Sequence, residues 1–230
     1  TFFGFLFIAA TITAQAQSPK GIHQFAFNKD QFVLDGKPMQ IISGEMHPAR
    51  IPKIYWRHRI QMAKAMGCNT IAAYIFWNYL ETKPGVFDYK TESRDVAAFI
   101  KLCQEENMWV ILRPGPYVCG EWDFGGIPSY LLKIPDIKVR CSDPRYLSAV
   151  DRYINSLAAQ VKQLQCTTGG PMLMVQIENE YGSYGNDKNY IAHLGKQWRA
   201  AGITIPFYTS DGPTPYMLDA GTIDGGAIGL

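Results

Sequence analysis

Apolar positions along this chain follow two alternating rhythms. Short runs of β-formers carry no polar interruption, and between them apolar residues recur at helical spacing. Met39 to Gly44 reads as a strand, and Tyr55 to Met66 as a helix stopped by Gly67. Thr70 to Phe76 is the next strand and Asp95 to Glu106 the next helix. Met108 to Arg113 is a strand ended by Pro114-Gly115-Pro116. After a long connection holding Gly125-Gly126 and Pro128, Asp143-Pro144 starts a helix, with Asp at the N-cap and Pro in the first turn. That helix is expected to run to about Gln165. Met172 to Ile177 is a strand, Asn189 to Ala201 a helix and Pro206 to Thr209 a strand, and Ala227 to Leu230 begins another.

Continuously apolar strands separated by helices predict an α/β fold, a parallel sheet covered by helices. A doubly wound sheet and a (β/α)₈ TIM barrel both fit that order. Polar residues follow strand after strand: Glu45 and His47, Trp77 and Asn78, Arg113 to Tyr117, Asn179 and Glu180, Ser210 and Asp211. A barrel gathers its site at this C-terminal face of every strand. A doubly wound sheet would concentrate such residues at one or two switch points. No GxGxxG or P-loop follows the first strand. The expectation is therefore a (β/α)₈ barrel, incomplete here at about five to six of eight βα units. Residues 17–230 would be part of one catalytic domain, with two or three units beyond Leu230.

The first residues belong to a different pattern. Phe2 to Ile12 is apolar, too short to span a bilayer comfortably, and Ala14-x-Ala16 is a small-residue cleavage pattern. Residues 1–16 read as a front-clipped signal peptide cut near Ala16, which implies export to a periplasmic, extracellular or lysosome-like compartment and no membrane span in the mature form. A buried N-terminal helix is the alternative. At 47% hydrophobic and 18% charged, the chain is globular in composition. A net charge of +2 without a Lys/Arg run argues against a nucleic-acid partner. Cys68, Cys103, Cys119, Cys141 and Cys166 show no metal spacing. They are expected to be mostly buried thiols, with at most one or two disulfides.

The sharpest chemical signal is Gly169-Gly170-Pro171 followed by an apolar strand that runs into Gln176-Ile177-Glu178-Asn179-Glu180-Tyr181-Gly182. Glycoside hydrolysis needs one carboxyl group to protonate the leaving oxygen and a second to attack or to activate water. The acid must hold its proton near neutral pH, and a Glu at a strand end in an aromatic pocket suits that need. Glu178 and Glu180 do not form the working pair, because they share one segment and the carboxyls must flank the sugar. A solvated loop is the bland reading of Glu-Asn-Glu. Glu121 and Trp122, after Arg113 to Tyr117, suit sugar binding by hydroxyl acceptance and stacking, and Arg113 equally suits a structural salt bridge. Tyr74 is either core or a donor to a sugar hydroxyl. His47 stands alone in sequence, without HExxH or GxSxG, and reads as structural.

These residues resemble glycoside hydrolase family 35, the β-galactosidase family, from about Phe32 to Leu230. The matching segments are Ile42 to His47, Arg113 to Tyr117, Glu121-Trp122, Gly125-Gly126-x-Pro128 and Gly169 through Tyr184. The resemblance implies a barrel catalytic domain and a retaining, exo-acting double displacement on terminal β-linked galactose of oligosaccharides or glycoconjugates. It assigns acid/base catalysis to Glu180, sugar contacts to Asn179, Tyr74, Glu121 and the backbone of Gly120, and a supporting role to Glu178. Relatives carry Ala where Gly120 stands. The nucleophile it implies, a Glu in a Ser-Glu-aromatic context, is not in this chain, and Asp211 and Asp224 lack that motif. The 230-residue piece alone is thus expected to be inactive. The chemistry requires no metal or cofactor. A non-catalytic carbohydrate-binding relative and a glycosidase for another β-linked sugar such as glucosamine are the alternatives.

Overall fold

In the computed structural model, residues 18–229 are described, and the expected leader lies outside them. Three short strands come first: β1 (Phe25–Phe27), β2 (Phe32–Leu34) and β3 (Lys37–Met39), an antiparallel meander. Asp35-Gly36 joins β2 to β3 with φ of 50° and 75°, the left-handed pair that a two-residue hairpin demands. Pro38 is tolerated because β3 is an edge strand. The expected strand from Met39 to Gly44 is therefore split. Met39 ends β3, and the parallel sheet begins later with β4 (Ser43–Met46). The reason lies between them: the Asn69 side chain takes the N–H of Ile42 and donates to the carbonyl of Gln40, so those residues satisfy their backbone outside a ladder.

The chain then runs through α1 (Trp56–Ala65), β5 (Thr70–Tyr74), a short α2 (Trp77–Leu80) and the hairpin β6 (Glu81–Lys83) and β7 (Val86–Phe87). Next come α3 (Val96–Glu105), β8 (Trp109–Arg113), α4 (Pro144–Val161) and β9 (Met172–Gln176). The short α5 (Tyr181–Tyr184), α6 (Lys188–Ala200), β10 (Phe207–Ser210), α7 (Pro215–Gly221) and β11 (Ala227–Gly229) complete the described chain. Carboxylates cap α3, α4 and α6: Asp95, Asp143 and Asp187 each accept a first-turn N–H. The fourth helix ends at Val161 rather than near Gln165. Gln165 is buried, and its side chain serves the backbone of Gly202, Thr204 and Ile205 instead.

All six strands of the main sheet are parallel, and their spatial order β4-β5-β8-β9-β10-β11 follows the chain. A doubly wound sheet reverses direction at a switch point. This one does not, and it forms the consecutive arc of a (β/α)₈ barrel, six strands of the eight. Residues of one parity, Ala72, Ile111, Met174, Tyr208 and Ala227, line a concave cavity of about 200 Å³. Residues of the other parity, among them Val110, Leu112, Leu173 and Val175, are fully buried. Phe32 of β2 also lines the cavity, and His23 packs edge-on against Trp109 at the start of β8. The N-terminal meander thus closes the amino-terminal end of the strands and leaves the carboxyl end open for a site. All five cysteines are free thiols; Cys103 and Cys166 are buried, and the other three are half-buried.

Candidate active site

Strand alternation brings five polar side chains to the carboxyl end of the concave face. Arg113, ending β8, pairs with Glu45 of β4 and lies 4.0 Å from the ring centre of Tyr74, so the salt-bridge reading of this arginine holds. The Tyr74 hydroxyl donates to Glu45 Oε1 at 3.1 Å, and burial above all pushes this phenol up to about 12, so it stays protonated. On β9, Gln176 accepts from the Tyr208 hydroxyl at 2.7 Å and donates to Asn179 Oδ1 at 3.1 Å. Arg113 Nη2 donates to the same Asn179 oxygen at 2.9 Å. With Oδ1 held by two donors, the Asn179 Nδ2 is the end of the amide left for an outside acceptor.

Past Gln176 the backbone leaves strand geometry. Glu178 and Glu180 both take left-handed φ values, 61° and 50°, and their carboxyls part. Glu178 is 1% exposed. Arg140 grips it through two donors, at 3.1 and 2.8 Å, and the Tyr190 hydroxyl adds a third at 2.8 Å. The N–H of Asn179 supplies a fourth, at 2.7 Å. Arg140 also donates to the Asn179 carbonyl and lies between the rings of Tyr117 and Tyr184, 3.8 and 4.1 Å from their centres. Burial alone would push this guanidinium down; the Glu178 carboxylate outweighs that and raises it. Glu180, in contrast, is exposed, and its backbone N–H donates to the Ser210 carbonyl at 2.8 Å. Its carboxyl has no hydrogen-bond partner among the described residues. The supporting place expected for Glu178 is thus filled by a buried ion pair, whose other member the sequence did not mark. Arg140 sits 38 residues away between Val139 and Cys141, in no periodic pattern.

The third group surrounds Gly120 and Glu121. Cys119, Gly120 and Glu121 are consecutive left-handed residues, and Arg50, though exposed, donates to the carbonyls of both Gly120 and Glu121. Arg50 also donates to His47 Nδ1 at 2.7 Å, so the ring proton of His47 is on Nε2. Burial, then the Arg50 charge, lowers the His47 pKa and keeps the ring neutral. His47 packs 4.5 Å from the Tyr74 ring. It is no isolated structural residue, as its sequence context suggested, but a bridge from Tyr74 to the Gly120 loop. A Cβ on Gly120 would lie 3.3 Å from His47 and Phe76, tight at a φ of +62°. Trp122 stacks on Phe76 at 4.1 Å and donates its indole N–H to Asn78, so one face expected for a sugar is already covered.

Asp211 sits just behind this rim at 3% exposure. Its Oδ1 accepts from the Gly182 N–H at 2.8 Å, and its Oδ2 is buried without a partner. Burial raises its pKa, and the charge of Glu180 adds to the rise. A carboxyl whose pKa is higher folded than unfolded adds stability below the ordinary range, about 4, and loses that contribution as pH rises through the folded value. Asp211→Asn keeps an oxygen for Gly182. Its urea midpoint relative to wild type is expected to improve between about pH 4 and about pH 7. A constant difference across that window would contradict the raised value.

The structure therefore joins Tyr74, Asn179, Gly120 and Glu121 through Arg113, His47 and Arg50, and sets Glu180 beside Asn179 at the rim. The profile of Glycosyl hydrolases family 35 matches residues 31–229. A β-galactosidase of Xanthomonas manihotis is 44% identical over 95% of this chain, and that of Homo sapiens 41% identical over 86%. The chain spans 36% and 30% of the lengths of these two relatives. Among solved structures, a GH5_18 protein from Streptomyces cattleya in complex with GlcNAc superposes with a TM-score of 0.56 at 14% identity, covering 74% of this chain and 44% of the other. The exo-β-1,4-mannosidase Op5Man5 from Opitutaceae bacterium strain TAV5 gives 0.56 at 15%, covering 76% and 32%. At such identities these two likenesses bear on the fold alone.

Proposed function

The chain belongs to glycosyl hydrolases family 35, and on that footing we propose that its site removes terminal β-linked galactose from oligosaccharides or glycoconjugates with retention of configuration. The observation that carries this reading is the divergence of the two carboxyls after β9. Glu178 is spent on Arg140, while Glu180 keeps an unpaired carboxyl next to the free amide end of Asn179. Glu180 protonates the leaving oxygen as the glycosidic bond breaks, and a carboxylate from another strand attacks the anomeric carbon from the opposite side. In the second step Glu180 removes a proton from the water that displaces the enzyme carboxylate. The Asn179 amide donates to a hydroxyl next to the scissile bond.

The sugar is held at its other end. The Tyr74 hydroxyl, donating to Glu45, has lone pairs left for a galactose hydroxyl. Glu121 offers an exposed carboxylate, and with the Gly120 carbonyl turned to Arg50, the N–H of Gly120 is the group left for the sugar. No step of this scheme uses a metal or cofactor. The leader expected in residues 1–16 goes with an exported enzyme. Among the described residues no helix is long and apolar enough to cross a membrane.

The test is hydrolysis by the intact enzyme of aryl β-galactoside, β-glucoside and β-glucosaminide, with the first-formed anomer read by proton NMR. Preference for galactoside and release of β-galactose are expected. Preference for glucosaminide would move the substrate, release of the α-anomer would remove the double displacement, and binding without turnover would leave a carbohydrate-binding relative.

A further inference from the structure

Asp211 is a buried carboxyl near the rim that neither the proposed reaction nor the Arg140 ion pair uses. Alternation along β10 turns Tyr208 and Ser210 toward the concave face and Thr209 and Asp211 outward, among the helices. There Asp211 fits between two glycines. A Cβ on Gly221 of α7 would lie 1.9 Å from Asp211 Oδ1, and one on Gly182 of α5 would lie 1.9 Å from the Met217 carbonyl. No substrate reaches this slot, yet its occupant touches the turn that carries Glu180. The Asp211 N–H is tied to the Gly229 carbonyl of β11 at 3.0 Å, so the residue is anchored to the sheet. From that anchor the end of β10 holds both sides of Glu180. The Ser210 carbonyl takes the Glu180 N–H at 2.8 Å, and Asp211 Oδ1 takes the Gly182 N–H at 2.8 Å. Glu180 between them has φ 50° and ψ 38°, a left-handed conformation that a non-glycine residue keeps only where its surroundings fix it.

We propose that Asp211 is the positioning residue for Glu180, locking through the Gly182 N–H the left-handed turn that aims the Glu180 carboxyl at the leaving oxygen. The inference rests on the reading of Glu180 as the acid/base. Asp211 does not touch the sugar; it acts through Glu180, so its loss is felt in the first step as far as proton donation matters and in the second as far as proton removal from water does.

That dependence gives the test. In the intact enzyme, Asp211→Ala is expected to lower kcat on a galactoside with a poor leaving group by roughly 10- to 100-fold, with KM within about threefold. The deficit in kcat/KM, which reads the first step alone, should shrink along a series of aryl galactosides as the phenol becomes more acidic. Asp211→Asn, which keeps the acceptor, should remain within about threefold of wild type. In a Glu180→Gln background, Asp211→Ala should add no further loss. Should the alanine variant not fold, Asp211→Ser, too short to reach the Gly182 N–H, carries the same comparison. A deficit in kcat/KM uniform across the leaving groups, or one that multiplies with Glu180→Gln, overturns the proposal while leaving Glu180 in place. A Glu180→Gln variant with wild-type turnover on every substrate overturns the reading beneath it.

Discussion

Glu180→Gln in the intact enzyme should lower kcat on a β-galactoside with a sugar or alkyl leaving group by about 10²- to 10⁴-fold, the usual contribution of a positioned proton donor. The amide keeps the shape of the side chain and removes the proton. Because the Glu180 carboxyl has no hydrogen-bond partner among the described residues, the substitution breaks none of their bonds, and the thermal midpoint should stay near that of wild type. The leaving group decides what remains. A galactoside of an acidic phenol departs with little assistance, so its first step should be nearly intact and the covalent intermediate should accumulate. Azide needs no base to attack and should restore turnover on that substrate, with a β-galactosyl azide as product. Wild-type turnover on both an aryl and a natural galactoside would remove Glu180 from the mechanism.

Arg140→Met should be the most destabilising single change at the site. It leaves the Glu178 carboxylate 1% exposed without its cation. Breaking a buried pair from one side costs about 3–5 kcal/mol, which for a domain of this size means a thermal midpoint lower by roughly 10 °C. Activity should fall as well, since Arg140 also holds the Asn179 carbonyl. Replacing both partners, Arg140→Met with Glu178→Leu, removes the stranded charge and should recover much of the midpoint. It should not recover turnover, because the left-handed turn at Glu178 loses the four donors that fix it. Thermal unfolding and galactoside assays on the single and double variants separate the two effects. A midpoint within a degree or two of wild type for Arg140→Met would show that the pair is not a keystone of the turn.

Several local rules carried through from chain to fold. Asp143-Pro144 announced its helix because an N-cap carboxylate and a first-turn proline act within a few residues. The strands β5, β8 and β9 announced themselves because every one of their residues except Arg113 is buried. The hairpin at Asp35-Gly36 is equally local, an Asp-Gly pair between two short strands. The resemblance pointed to Glu180, Asn179, Tyr74, Gly120 and Glu121, and the fold brings the last four together with Glu180 at the rim. Arg140, Tyr190 and Tyr208 carry no signal in the sequence, since a lone polar residue has no periodicity to betray it, and Gln176 stands in the Glu-Asn-Glu motif without a role of its own.

Short-range sterics and the spacing of apolar residues were enough to set the alternation of strands and helices, the barrel order, and the arrival of Glu-Asn-Glu at a strand end. They could not say which glutamate of that tripeptide would be sealed against a cation and which left open to a ligand. That depended on Arg140 and Tyr190, held on other segments and brought under Glu178 only by packing. The buried place of Asp211 is likewise a consequence of neighbours far along the chain, whereas the neutral tautomer of His47 is set by Arg50, only three residues on. Burial pattern is written residue by residue, whereas the partner of a charge is chosen by contacts that exist only after the layers close.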